Sequence, residues 1–124
     1  MAPTVKSTFP SGGATGVRRD TNLTATFSEQ MDPATITGST FRLLKVNADG
    51  TTTRITNAVV KLSSDGLQAT LNPFGTSTTL LAKNTKYKAV VTTGAKDMAG
   101  NALDQKATTT GNQPKSWTFT TGTS

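Results

Sequence analysis

Apolar residues in this chain recur with a period of two, in short runs. Leu23, Ala25 and Phe27 fall on one side of a run whose other side is Asn22, Thr24, Thr26 and Ser28. The same alternation separates Phe41 and Leu43 from Thr40 and Arg42, and Ala58, Val60 and Leu62 from Val59 and Lys61. It continues with Leu67, Ala69 and Leu71, then Tyr87, Ala89 and Val91, and finally Trp117 and Phe119 between Ser116, Thr118 and Thr120. A period of two places alternate side chains on opposite faces of a strand, so each run predicts a strand with one packed and one wet face. No segment keeps a helical period.

Turn signals divide the runs. Asn47–Gly50 and Ser63–Gly66 both end in Asp-Gly, a dipeptide suited to the positive-φ positions of tight hairpins. Ser11–Gly16 reads as an open loop, while Pro73 closes one strand and Pro114 precedes another. Threonine, often in pairs or in triples such as Thr51–Thr53 and Thr108–Thr110, suits half-exposed strands. The pattern predicts an all-β antiparallel sandwich of seven or eight strands.

Met31-Asp32-Pro33-Ala34-Thr35-Ile36 follows the Leu23–Ser28 run and predicts one helical turn. Asp32 is a favoured N-cap, and Pro33 at the first helical position loses no hydrogen bond. Met31 and Ile36 are expected to pack inward. Glu29, three residues before Asp32, is expected at the strand exit near solvent. The two carboxylates could form a hydrolytic acid pair, but that chemistry needs a cleft and a partner that splits their pKa values. The cap gives Asp32 a backbone role instead, and catalysis is not expected.

Composition narrows the remaining chemistry. A chain of 124 residues suits one domain with one core. It holds no cysteine and no histidine, which excludes a disulfide framework, thiol catalysis and copper bound through histidine. The net charge is +6, with the basic residues scattered and only Arg18-Arg19 adjacent. Solubility accounts for such a balance; binding of a polyanion through Arg18 and Arg19 is the functional alternative. No apolar run reaches the ~20 residues of a membrane helix, and Met1–Phe9 lacks the layout of a signal peptide.

Four segments taken together resemble the bacterial Ig-like domain of S-layer proteins and other large secreted bacterial proteins. They are Ser7–Ile36, with its Pro-Gly loop, Phe-Ser strand end and Met-Asp-Pro turn; Ser39–Lys45; Leu80–Leu103, with its tyrosine strand and Asp-x-x-Gly-Asn turn; and Ser116–Thr121. The loop before the tyrosine strand departs from the family's Pro-Gly and carries Lys83-Asn84, where Asn84 can adopt left-handed geometry. Ala58–Leu80 is only loosely family-like, which leaves strand pairing there open. The resemblance implies a Greek-key sandwich of about seven strands that is not catalytic and carries no cofactor. It implies a spacer, stalk or accessory module at the cell surface or outside the cell, one domain of a longer chain. Neighbouring domains are then the expected partners, with a cell-wall polymer or glycan as the alternative, no nucleic acid and no membrane insertion. The isolated domain is expected to be monomeric.

Specific positions follow. Tyr87 resembles the tyrosine corner of such sandwiches, its hydroxyl bonding the preceding loop. Trp117 and Phe27 are expected in the core rather than on a sugar-binding face, and so are most of the other phenylalanines, with Phe74 the least determined. Asp97, Gly100 and Asn101 read as a tight turn, with the Asp97 carboxylate accepting amides and Gly100 and Asn101 at positive φ. Asp97, Asn101 and Asp104 are also the best calcium candidates, although the ligand density of a calcium loop is missing. Lys6 is a conceivable isopeptide donor with an outward phase, and Asn22-Leu23-Thr24 matches a glycosylation pattern.

Overall fold

The computed structural model describes residues 2–55, 58–74, 80–105 and 111–123. It is an all-β sandwich with nine described strands: β1 (Val5–Phe9), β2 (Ala14–Val17), β3 (Leu23–Phe27), β4 (Phe41–Val46), β5 (Thr52–Arg54), β6 (Val59–Leu62), β7 (Gln68–Asn72), β8 (Lys86–Val91) and β9 (Lys115–Thr121). One sheet has the order β1-β3-β7-β6 and the other β2-β9-β8-β4-β5. Every pairing is antiparallel except β2 with β9, which is parallel. No described helix is long and apolar enough to cross a membrane.

The period-two phase decides which side chains meet between the sheets. Leu23, Ala25 and Phe27 pack against Ala69 and Leu71 from one sheet, and against Phe41, Leu43, Tyr87, Ala89, Val91, Trp117 and Phe119 from the other. Trp117 lies in this core, its ring 6.0 Å from that of Phe41. The 3-10 turn Pro33–Thr35 sits where the sequence places a helical turn, and Met31 and Ile36 on either side of it are buried.

Four expectations need correction. Ala14–Val17 is not part of an open loop: after the chain crosses between sheets it pairs with β9, with Gly13 N–H on the Thr118 carbonyl at 2.7 Å. Leu67 is 38% exposed because β7 begins one residue later, at Gln68, and its phase starts with Ala69. Phe9, at the end of edge strand β1, is 58% exposed, whereas Phe74 packs against the core. In the two Asp-Gly turns only Gly50 and Gly66 have positive φ. Asp49 and Asp65 act through their carboxylates, which accept the amides of Thr51 and Leu67. The Thr108–Thr110 triple lies outside the described residues.

Strand direction gives the sandwich two poles. β1 starts at Val5, opposite Phe27, and runs toward Phe9. β9 starts at Lys115, opposite Val91, and finishes at Thr121 beside Val17. The first strand therefore enters at the pole formed by residues 28–40, 63–67 and 92–104, here the N-terminal pole. The last strand leaves at the opposite pole, formed by residues 18–22, 47–50 and 80–85.

Candidate functional site

At the N-terminal pole the turn after β3 docks on the loop after β8. Met31 and Asp97 form an isolated antiparallel bridge, and Asp32 N–H donates to the Lys96 carbonyl at 2.9 Å. Asp32 Oδ1 accepts from Ala34 N–H at 3.1 Å, closing the 3-10 turn as an N-cap. The Thr35 hydroxyl accepts Lys96 N–H at 3.0 Å, a second tie between the two segments. Gly66 completes the pole: its φ is +73°, and a Cβ there would stand 2.5 Å from Gln30 Cγ, so the hairpin turn can approach only as glycine.

Asp97 is the hub of this pole. Its side chain is buried, and Oδ1 accepts Ala99 N–H at 3.0 Å and Asn101 N–H at 2.8 Å while Oδ2 accepts Asn101 Nδ2 at 3.1 Å. Burial pushes the Asp97 carboxyl up, but the Asn101 amide, the Asn101 side chain and the Ala99 amide outweigh it and hold the group below its ordinary value. Gly100 has φ +88°, as the turn requires, whereas Asn101 is not left-handed. Asn101 serves instead as the donor to the carboxylate.

The calcium candidates do not form an oxygen shell. Asn101 turns its nitrogen toward Asp97, and Asp104 Oδ1 accepts Gln113 N–H at 3.1 Å. Among the described residues no three acidic side chains gather closely enough to hold a metal ion. Glu29 is half-buried rather than solvated, and its Oε2 is shielded without a hydrogen-bond partner among the described residues. The Asp32 carboxylate, three residues on, is a cap.

At the opposite pole the loop 80–85 is held by neutral groups and one guanidinium. The Tyr87 hydroxyl accepts Ala82 N–H at 2.9 Å, and its ring stacks on Phe119 at 5.8 Å. The buried Thr121 hydroxyl donates to the Ala82 carbonyl at 2.5 Å and accepts Thr85 N–H at 3.0 Å. Asn84 has φ +49° and donates its N–H to the Gly122 carbonyl at 3.1 Å, so asparagine fills the left-handed place in this loop.

Arg18 and Arg19 have separate roles. Arg19 Nε donates to the Leu81 carbonyl at 2.6 Å, while the Arg19 carbonyl accepts Leu81 N–H at 3.0 Å, a two-point clasp. Arg18 forms a bidentate pair with Asp20 at 3.0 and 3.1 Å, the one ion pair among the described residues. The pair lies on the rim of a cleft of about 310 Å³ lined by Phe9, Pro10, Ala14 and Val17. This cleft has no connection with Glu29 or Asp32, which stand at the other pole.

Two structural side chains carry no motif in the sequence. Gln105 accepts Val5 N–H at 2.8 Å and donates to the Val5 carbonyl at 3.0 Å, acting as a strand partner for the free edge of β1. Thr121 shares the inward phase of Trp117 and Phe119, a signal that could have marked it as a buried hydroxyl. Trp117 Nε1 is buried without a partner among the described residues. Lys6 is exposed on β1.

Known proteins share this architecture. A crystal structure of the S-layer protein SbsC superposes with a TM-score of 0.63 at 23% identity, covering 100% of this chain and 14% of that one. Its N-terminal part matches at 0.62 and 24% identity, covering 98% of this chain and 24% of that one. This chain thus spans a small fraction of the length of those S-layer structures. PcoC, a methionine-rich copper resistance protein from Escherichia coli, matches with a TM-score of 0.67 at 15% identity, covering 98% and 99% of the two chains. These likenesses are of fold. No curated protein sequence matches the chain significantly. The family model of the bacterial Ig-like domain matches residues 1–121. With the two-sheet core, the capped Met-Asp-Pro turn and the Tyr87 anchor in place, the chain belongs to the bacterial Ig-like domain family.

Proposed function

We propose that this domain is a non-catalytic structural module that spaces or positions neighbouring domains in a bacterial protein at or outside the cell surface. The observation that carries this reading is strand direction: β1 enters at one pole and β9 leaves at the other. A load applied along the chain then runs parallel to the strands. It shears β1 against β3 and β9 against its two neighbours, loading their backbone hydrogen bonds together. The polar clasps at both poles keep the connecting loops from opening first. Family membership and the fold shared with S-layer domains support the same reading.

The copper-resistance likeness supports a metal role less well. The chain has no histidine or cysteine, Met31 is sealed in the core, and Met98 is 60% exposed. A methionine site would have one accessible sulfur among the described residues.

Single-molecule pulling tests the proposal. Handles at positions 5 and 122 load the domain from pole to pole, whereas handles at 49 and 122 sit at one pole and peel bonds in sequence. The module should break in one step at clearly higher force in the first geometry. Equal forces, or stepwise unravelling from 5 and 122, would overturn the proposal.

A further inference from the structure

We infer that the outer face of the five-stranded sheet is a docking surface for a linear anionic glycan. Pairing registers place its side chains. Leu44 stands opposite Arg54 on one side and Lys88 on the other, and Lys88 stands opposite Thr118. Arg42 is opposite Val90, and Lys86 is opposite Thr120. Phe41, Leu43, Tyr87, Ala89, Trp117 and Phe119 point into the core, so these intervening residues point outward. Four cations, Arg42, Arg54, Lys86 and Lys88, therefore share one face.

No described acidic side chain pairs with them. All seven acidic residues lie in turns and loops outside the strands. Five of them, Glu29, Asp32, Asp65, Asp97 and Asp104, are at the N-terminal pole. Among the described residues none forms an ion pair with any of the four cations. The two guanidiniums are also held in place. Arg42 Nε donates to the Ser39 carbonyl and Arg54 Nη2 to the Gly38 carbonyl, each at 2.7 Å. Two like charges are thus anchored on adjacent carbonyls of one turn, with their remaining N–H groups available for a carboxylate or phosphate fork. Strand geometry puts the Cα atoms of neighbouring members about 7–10 Å apart across the face, a spread that suits an extended chain of anions better than a single small ion.

The rest of the face favours a glycan over other polyanions. Every aromatic residue of β4, β8 and β9 faces the core, which leaves no platform for stacking nucleobases. The large exposed apolar residues, Phe9, Val59, Leu67, Leu80 and Met98, all lie elsewhere, and the outward Leu44 and Val90 are half-buried between the cations, which leaves little apolar surface for a bilayer. Ser116, Thr118, Thr120 and Thr52 border the cations with hydroxyl groups that can pair with sugar hydroxyls. The surface differs from the Arg18-Arg19 pair, whose side chains are engaged with Asp20 and Leu81. It does not rest on the spacer reading, and the pulling experiment can fail without touching it.

Titration with polygalacturonate over a series of salt concentrations tests the inference, with duplex DNA and phosphatidylglycerol vesicles as comparison probes. R42Q/K88Q should weaken polygalacturonate binding by about tenfold or more and flatten its salt dependence. K6Q/K61Q removes the same charge from exposed positions of the other sheet and should change affinity less than about twofold. R54Q/K86Q, at two exposed positions, should reproduce the loss should R42Q/K88Q fold poorly. Absence of binding at low salt, equal losses in the two sheets, or tighter binding of DNA or vesicles would each overturn it.

Discussion

At the N-terminal pole one carboxylate, that of Asp97, gathers three donors, and the Asp32 cap and Thr35 tie the same two segments together. At the opposite pole the loop 80–85 is held by hydroxyls and a guanidinium: Tyr87 on Ala82, Thr121 on Ala82 and Thr85, and Arg19 on Leu81. Both arrangements satisfy backbone groups that the strand ladders leave over, which is the general requirement for a buried loop. The difference is electrostatic. A carboxylate that accepts several amides is strong while ionised and gives up part of its acceptor capacity on protonation, whereas the Tyr87, Thr121 and Arg19 clasps contain no carboxylate.

Substitutions can break this comparison in order of effect. Asp97→Asn should give the largest loss, lowering the Tm by several degrees, because a single amide oxygen replaces two acceptors and its NH2 group opposes that of Asn101. Thermal unfolding at neutral pH measures it. Tyr87→Phe should cost about 1 kcal/mol at the other pole, since Ala82 N–H loses its partner while the ring keeps its place on Phe119. Asp32→Ala removes an N-cap and should cost a similar or smaller amount, about 0.5–1 kcal/mol, because the Thr35 and Lys96 contacts survive it. Urea titration resolves both. Arg18→Gln should have no measurable effect on stability, as its partner Asp20 is 52% exposed and the pair is solvated.

Acidification separates the Asp97 turn from the Tyr87–Ala82 clasp without a mutation. The Asp97 carboxyl is held below its ordinary value in the folded protein, so it contributes stability above the unfolded pKa of about 4. That contribution is lost as pH falls through the folded value. Asp65 at the same pole, lowered by the Ser63 hydroxyl and the Leu67 amide, and Asp49 at the other, lowered by the Thr51 hydroxyl and amide, act in the same direction. Amide exchange below pH 4 should therefore rise first at Ala99 and Asn101, before Ala82 and Thr85. The Asp97→Asn variant should lose that order.

The core was legible in the sequence because a period of two has one consistent reading on a strand. Leu23, Ala25 and Phe27 could only face inward together, and the Met31–Ile36 turn announced itself through its cap and proline. Tyr87 and the Asp97 turn were readable because each uses a local motif. What escaped detection depends on contacts distant in sequence. β2 is stabilised by pairing with β9 about a hundred residues away, and nothing in Ala14–Val17 alternates. Gln105 reaches Val5 across a similar span. Arg42 and Lys88 gather on one face only once β4 and β8 pair in register, so scattered basic residues in the sequence became a patch in the fold. Adjacent Arg18 and Arg19 did the reverse and separated.

Asp32, Asp65, Asp97 and Asp104 at the N-terminal pole each accept backbone amides, so calcium is expected to add no stability to this module. Thermal unfolding with EDTA and with millimolar calcium tests it most directly. The account predicts the same Tm in both. A stabilisation of several degrees by calcium would contradict this, placing an ion where the Asp97 carboxylate meets only the Ala99 and Asn101 amides.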